Sequence, residues 1–459
     1  MRMSRNRDAT VSTMKTYMAA LLALALSVTA LALPAGAEGP QADTTAADSK
    51  AAGHGYPAGA LSSDPEDPGN QVPGIQERRT QKEALVPVSP LHALHRLTDR
   101  GKNALYDATG LKLALAYTQV FMVLSESLPG SDIWGTNSNL DFIATWELLK
   151  RGKPIQGAVT FHYQGRWDLG TTSPEDLAAV SLGSLLGTAN SFGPYMPSST
   201  LIRNLYWEQG SKEAGWAYRI GKITPDAILG TSAHMANVLT FLPTANFNFS
   251  IAVPDSGLGV TAVWYPHERI RLLGLFSDAN ADRQDWGHLK DGDFFEAFEI
   301  GAQIAPRTEK AGYSKLVFWH NDGTRDGSAS NGNLGPSGWG FLVKLEQELT
   351  ADGRAIGIVR YGRSFHGSGF FEHQAGVNFL LYDPPPFNRI RNDVVGVAFN
   401  WVRPTLPGSL DEYDIELFYR FPLFPLVDVT LTYQSIFNPI LDPDNNHASA
   451  FGLRIRTTF

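Results

Sequence analysis

The chain has 459 residues, with 38 Lys and Arg against 46 Asp and Glu, no cysteine, 44 glycines and 11% aromatic residues. The acidic balance argues against nucleic acid as a partner, and the lack of cysteine excludes a disulfide scaffold. Glycine and aromatic residues in these amounts suit tight turns and interfacial girdles.

At the N-terminus, Arg2, Arg5, Arg7 and Lys15 precede an apolar run from Tyr17 to Leu33, and Ala35-Gly36-Ala37 supplies a small-x-small cleavage pattern. This order predicts a signal peptide over residues 1–37, removed on export. No later stretch reaches the roughly 18 apolar residues of a spanning helix. A membrane-embedded form of the chain must therefore be a β-barrel. Residues 38–89 are rich in Ala, Gly, Pro, Asp and Gln. Such a stretch cannot bury enough surface to order itself and reads as a flexible periplasmic leader. Leu91, Leu94 and Leu97 then recur every third residue, after Ser89-Pro90 and before Gly101. They predict a short helix over 90–101 that packs on the mouth of a barrel domain spanning 90–459.

From Gly110 onward, sixteen segments read as strands: 111–124, 139–150, 154–167, 200–209, 214–223, 257–265, 268–277, 293–304, 311–320, 338–349, 354–364, 369–382, 393–402, 412–421, 426–436 and 449–459. Their alternation is plain in the fifteenth, where Val427, Val429, Leu431 and Tyr433 oppose Asp428, Thr430, Thr432 and Gln434. Side chains on a strand alternate sides, so each segment offers one face to lipid and one to a wet lumen. Alternate links are short, such as Arg151 to Lys153 and Pro266-His267, while Asp168 to Ser199, Thr224 to Ser256 and Asn321 to Ser337 are long. Barrels have short periplasmic turns and long outer loops. The links Phe365 to Ser368 and Asp383 to Asn392 break that rule, which leaves the count open by a strand or two. The expected fold is all-β: a transmembrane antiparallel β-barrel of about 16 strands with a short N-terminal helix.

The last strand ends on an aromatic, Phe459. Such an ending suits a partnership with the barrel-assembly machinery. Outer-membrane lipid and lipopolysaccharide would be the surroundings, the latter through divalent cations given the acidic balance. An apolar outer face leaves homo-oligomer or monomer open.

Asn392-Asp393-Val394-Val395-Gly396-Val397-Ala398, Glu416-Leu417-Phe418-Tyr419, Tyr433-Gln434-Ser435-Ile436-Phe437-Asn438-Pro439 and Phe451-Gly452-Leu453-Arg454 stand in order in the C-terminal third. With Asn137-Ser138-Asn139-Leu140-Asp141 and Tyr218-Arg219-Ile220-Gly221-Lys222-Ile223, they resemble the carbohydrate-selective porin family, the OprB-type porins of Gram-negative bacteria. The resemblance spans about residues 90–459. It departs where the family tends to carry Pro before the Gln of the second-last strand and this chain has Leu431-Thr432-Tyr433. The resemblance implies a sixteen-stranded outer-membrane channel that passes small carbohydrates down a gradient.

Thr224 to Ser256 is the third long loop, which in sixteen-stranded porins commonly folds inward; it carries His234, Asn237, Phe241, Phe247, Asn248 and Phe249. A sugar offers hydroxyls around an apolar ring face, so weak binding calls for paired donors and acceptors and an aromatic platform. The inward candidates near that constriction are Glu147, Thr160, His162, Glu208, Arg219, Glu299, Lys344, Arg360, Glu416 and Arg454. Arg and Glu on facing walls would set up a transverse field. Each is equally an ordinary residue of a solvated lumen. No nucleophile elbow, phosphate loop or EF-hand is present, so neither a catalytic residue, a metal nor a cofactor is expected. The alternatives are a porin for organic acids or aromatics, a barrel-based outer-membrane hydrolase, and a structural or adhesin barrel.

Overall fold

The computed structural model describes residues 59–71, 84–86, 89–186, 188–194, 198–287, 289–325, 327, 332–385, 393–442 and 444–459. The signal peptide expected over residues 1–37 lies outside them.

The helix α1 (Ser89–Thr109) leads into β1 (Leu111–Leu124), β2 (Trp134–Leu149), β3 (Gly157–Asp168), β4 (Thr200–Ser211), β5 (Trp216–Ile223), β6 (Gly257–His267), β7 (Ile270–Asp278) and β8 (Phe294–Ala302). Then come β9 (Ser314–Asn321), β10 (Gly338–Glu348), β11 (Ala355–Phe365), β12 (Phe371–Tyr382), β13 (Val394–Pro404), β14 (Glu412–Phe424), β15 (Val427–Phe437) and β16 (His447–Thr458). Each strand pairs with its chain neighbours, and β1 pairs with β16, so the sheet is a closed sixteen-strand barrel. The seam pairs Ala116 with Thr458 through to Leu124 with Ala450. Phe459 completes it, donating to the Leu115 carbonyl at 2.7 Å and accepting from the Leu115 amide at 3.0 Å.

The wall is inverted relative to a water-soluble protein. Leu431 is 52% exposed on the outer face while its neighbour Thr432 is 5% exposed on the inner one. The same parity turns Trp264, Phe451, Leu417 and Phe318 outward, and buries Thr118, Asp141, Arg219, Glu299 and Arg454 within. Despite Leu431-Thr432-Tyr433, β15 pairs with β16 in unbroken register, Thr432 opposite Gly452 and Tyr433 opposite Phe451.

The ends of the barrel differ as the link lengths predicted. Residues 212–215, 268–269 and 425–426 form short turns at one end, and 169–199 and 224–256 form long loops at the other. The short link at the loop end, 366–370, is a tight turn with His366 and Gly367 both at positive φ (66° and 77°). It adds no strand to the count.

Two expectations are corrected. The helix does not stop at Gly101 but runs to Thr109. A single glycine costs a helix only about 1 kcal/mol, and Asn103 to Ala108 contains no breaker. The stop is Gly110, at φ 79°, whose amide returns to the Tyr106 carbonyl at 2.7 Å. The adjoining carbonyls are covered: Arg151 donates to Tyr106 and Asp107 O, and the Trp146 indole to Thr109 O. Nor is the whole of 38–89 without structure, because residues 59–71 are packed inside the barrel, most of them buried. They are too polar to build a core of their own, but the lumen wall supplies partners that no local sequence could.

A Cβ on Gly110 would lie 2.7 Å from the Glu147 carbonyl and the Arg151 guanidinium, whereas one on Gly101 meets nothing within 4 Å. Gly110→Val is therefore expected to lower barrel stability by about 1–3 kcal/mol. Gly101→Ala should be neutral or stabilise by about 0.5–1 kcal/mol. Heat-modifiable mobility on gels compares the two, and equal behaviour would refute the assignment of Gly110 as the helix stop.

Candidate functional site

The loop 224–256 leaves the end of β5 and folds into the lumen, where the wall grips it mainly by its backbone. Arg454 on β16 donates to the carbonyls of Asn237 and Thr240. Arg420 on β14 donates to Leu239 O at 2.8 Å. Arg360 on β11 takes the carbonyls of Ala245 and Phe247, and Lys344 on β10 takes Thr231 O. The acids hold amides: Glu416 accepts from Leu242 N at 3.1 Å, and Glu299 from Gly230 N at 2.8 Å. Buried ions are tolerated only when paired or hydrogen-bonded, and here an inward-folded loop supplies the bonds. Asn246 ties the same knot from the loop side, its carbonyl oxygen accepting from Asn378 at 2.7 Å and Asn400 at 3.2 Å.

The loop 169–199 packs beside it. Leu177, Leu182, Leu186 and Phe192 join Val238, Leu239 and Leu242 in one apolar cluster with Val120, Met122, Phe371 and Ile436 of the wall. Glu412 on β14 accepts from the amides of Leu185 at 2.9 Å and Leu186 at 3.1 Å. The lumen at the loop end is thus a small hydrophobic core, not a wet channel throughout.

Of the candidates, Glu299, Lys344, Arg360, Glu416 and Arg454 reach the inward loop, and Asn237 and His234 lie on it. His162 on β3 bonds Asp141 at 2.9 Å and accepts from the Asn204 amide at 3.2 Å. Asn204 in turn accepts from the Thr224 hydroxyl at the root of the loop. His234 Nδ1 hydrogen-bonds the Tyr382 hydroxyl at 2.9 Å, and its Nε2 stands 3.8 Å from Glu346. Thr160 contacts Thr145 at 3.2 Å.

Three placements differ from expectation. Glu147 is not at the constriction: it sits at the turn end, accepting from Lys112 and from the Tyr106 hydroxyl of α1. It fixes the helix, because that end of β2 pairs with the start of β1. Phe241 is no open platform, being fully buried edge-on to Phe418 at 4.9 Å. Phe247 and Phe249 line the lumen cavity instead. Charges are not sorted onto facing walls either. Lys344 and Glu346 share β10, 2.8 Å apart, and Glu299 stands between Arg271 at 3.2 Å and Lys315 at 3.3 Å.

Glu208 and Arg219 belong to a second arrangement that sequence reading did not find. Arg219 donates to both oxygens of Asp67, at 2.7 and 3.0 Å, while also bonding Glu208 at 2.7–2.8 Å and lying over the Tyr206 ring at 4.0 Å. Arg271, Lys315, Arg420, Gln374 and Asn400 also went unselected, although inward parity in an alternating strand was signal enough for each. A cavity of about 90 Å³ lies between the loop, the wall and Asp64, Glu66, Pro68 and Gln71. A wider one of about 320 Å³ opens beyond it, lined by Arg166, Glu175, Arg203, Asp255 and Arg283.

Because Phe241 is enclosed by Phe418, Ile356, Ile358 and Leu380, Phe241→Ala is expected to destabilise the barrel by about 3–5 kcal/mol and to expose the loop to protease. Phe247→Ala, on the cavity side, should stay within about 1 kcal/mol. Denaturant unfolding with limited trypsinolysis reads both; a mild effect at Phe241 would mean that the loop is not seated as described.

No family model matches the sequence, and comparison with curated proteins returns no match. Solved structures do match. A high-pH structure of Pseudomonas putida OprB superposes with a TM-score of 0.62 at 13% identity, covering 78% of this chain and 96% of that one. A low-pH structure of the same protein gives 0.47 at 10% identity over 78% and 95%. A mutant of the Rh. blastica porin gives 0.45 at 9% identity over 76% and 100%. The first likeness shows that this chain has the fold of the OprB-type porin.

Proposed function

We propose that the barrel is an outer-membrane channel through which small carbohydrates diffuse. The observation that carries this is the inverted wall closed around an inward-folded loop. An apolar outer face and a closed hydrogen-bond ladder suit a hydrocarbon surrounding. A lumen narrowed by a fixed loop restricts what passes. The porin fold supports the channel reading, and the resemblance to carbohydrate-selective porins supports the sugar.

The chemistry around the narrowing favours neutral polyols. Its charges are interleaved, with Lys344 beside Glu346 and Glu299 between Arg271 and Lys315. Amides and hydroxyls remain as paired donors and acceptors, with Phe247 and Phe249 beside them. Hydroxyls can trade bonds along such a surface without being held, and a channel must release what it admits.

Liposomes carrying the purified full chain should swell faster with mono- and disaccharides than with an amino acid or organic anion of matched size. Phe247→Ala together with Phe249→Ala should narrow that difference severalfold, since an aromatic face contributes about 0.5–1.5 kcal/mol. Equal rates for all solutes would leave a general porin, and faster organic anions would favour the organic-acid reading.

A further inference from the structure

Residues Gly59–Gln71 lie inside the barrel and touch it on several sides. The Tyr265 hydroxyl on β6 donates to the Ala60 carbonyl, and Arg271 on β7 donates to Leu61 O at 3.0 Å. On the inward loop, the Ser63 amide donates to the Thr231 hydroxyl at 3.1 Å, and the Val238 amide to Glu66 at 3.1 Å. The Glu66 carboxylate interacts electrostatically with Arg456 on β16, Asp141 on β2 and Arg203 on β4, and β16 lies seven of sixteen strands round the barrel from β7. The segment therefore reaches from one side of the lumen towards the other.

Its own folding is adapted to that place. Asn70 donates to the carbonyls of Ser62 and Asp64, at 3.0 and 2.8 Å, and Gln71 to that of Glu66 at 2.8 Å, so the segment is a compact knot. Asp67 and Arg219 are 1% and 2% exposed at the side chain and joined by two bonds. A two-pronged guanidinium–carboxylate pair combines opposite charge with two parallel hydrogen bonds and is stronger than the neutral bonds around it. Leu61 adds an apolar foot packed among Tyr206, Ile223, Tyr265 and Leu273.

We propose that Gly59–Gln71 is a tethered plug that closes the pore when seated, latched by Asp67 on Arg219, and that permeation follows its release. Beside the segment the cavity narrows to about 90 Å³, below the ~300 Å³ at which small-molecule pockets begin, against about 320 Å³ in the cavity that the segment does not line. The segment precedes α1 and β1 in the chain, so it can leave the lumen without breaking any strand pair. This rests on the channel reading but not on the sugar preference.

The test is ion conductance in planar bilayers, comparing the full chain with the chain lacking residues 59–71, both first checked for heat-modifiable mobility. The deletion should raise mean conductance roughly tenfold, and Asp67→Ala should raise it part of the way. The protein has no native cysteine, so Ser63→Cys with Thr231→Cys gives a lock on the seated state. The oxidised lock should conduct no more than the full chain and should lose its openings; reductant should bring them back. A folded deletion variant that conducts like the full chain would overturn the proposal. So would an oxidised lock that conducts like the deletion variant. Because ions report the plug and solute order reports the sugar preference, either can fail alone.

Discussion

The pairing of β1 with β16 is the contact on which the molecule depends. Fifteen other strand pairs join neighbours in the chain and could form in an open sheet. Only this one joins residues more than three hundred positions apart, and only this one removes the two free edges. An open edge carries unpaired amides and carbonyls that hydrocarbon cannot satisfy. Closure also creates an inside. Once the lumen exists, side chains of alternate parity converge from sixteen directions, and charges that would be expensive on a flat sheet find one another.

The second level of organisation follows from that convergence. The inner wall carries more buried charge than its own ion pairs use, and the remainder is spent on main-chain groups of the inward loop. Arg454, Arg420 and Arg360 hold carbonyls, while Glu416 and Glu299 hold amides; Glu412 does the same for the loop 169–199. Loop and wall are therefore one bonded structure. The apolar cluster shared by the loops 169–199 and 224–256 adds a water-free brace above the narrowing, which a polar-lined tube would lack.

The strands were legible because their signal is local. Period-two alternation located β1 and β10 nearly to the residue, while 224–256 was marked as the inward loop by its length together with what the third long loop commonly does in sixteen-stranded porins. What the sequence hid is what distance hides. Phe241 and Phe247 are equivalent in composition, and only the position of Phe418 on a far strand buries the first and leaves the second at the cavity. Glu147 has the right parity for the lumen, but its height along the barrel follows from strand register, which alternation does not report. The segment 59–71 has no apolar period at all; its order comes from Arg219, which lies 152 positions from Asp67. Gly101 misled because glycine can end a helix or merely weaken it, and the choice is made by the carbonyl-covering groups near Gly110.

Fastening by backbone has a further result for the pore. A carbonyl or amide is the same at every residue, so the grip of Arg360, Arg420 and Arg454 is indifferent to which side chains the loop displays. The wall fixes the loop's course and with it the bore of the passage. Positions that face the cavity, such as Phe247 and Phe249, could be substituted without loosening that grip, whereas the seated Phe241 and Asn246 could not. In the channel we propose, the course of the loop would be set by the wall and the solute preference by the cavity-facing side chains, so the two could vary separately.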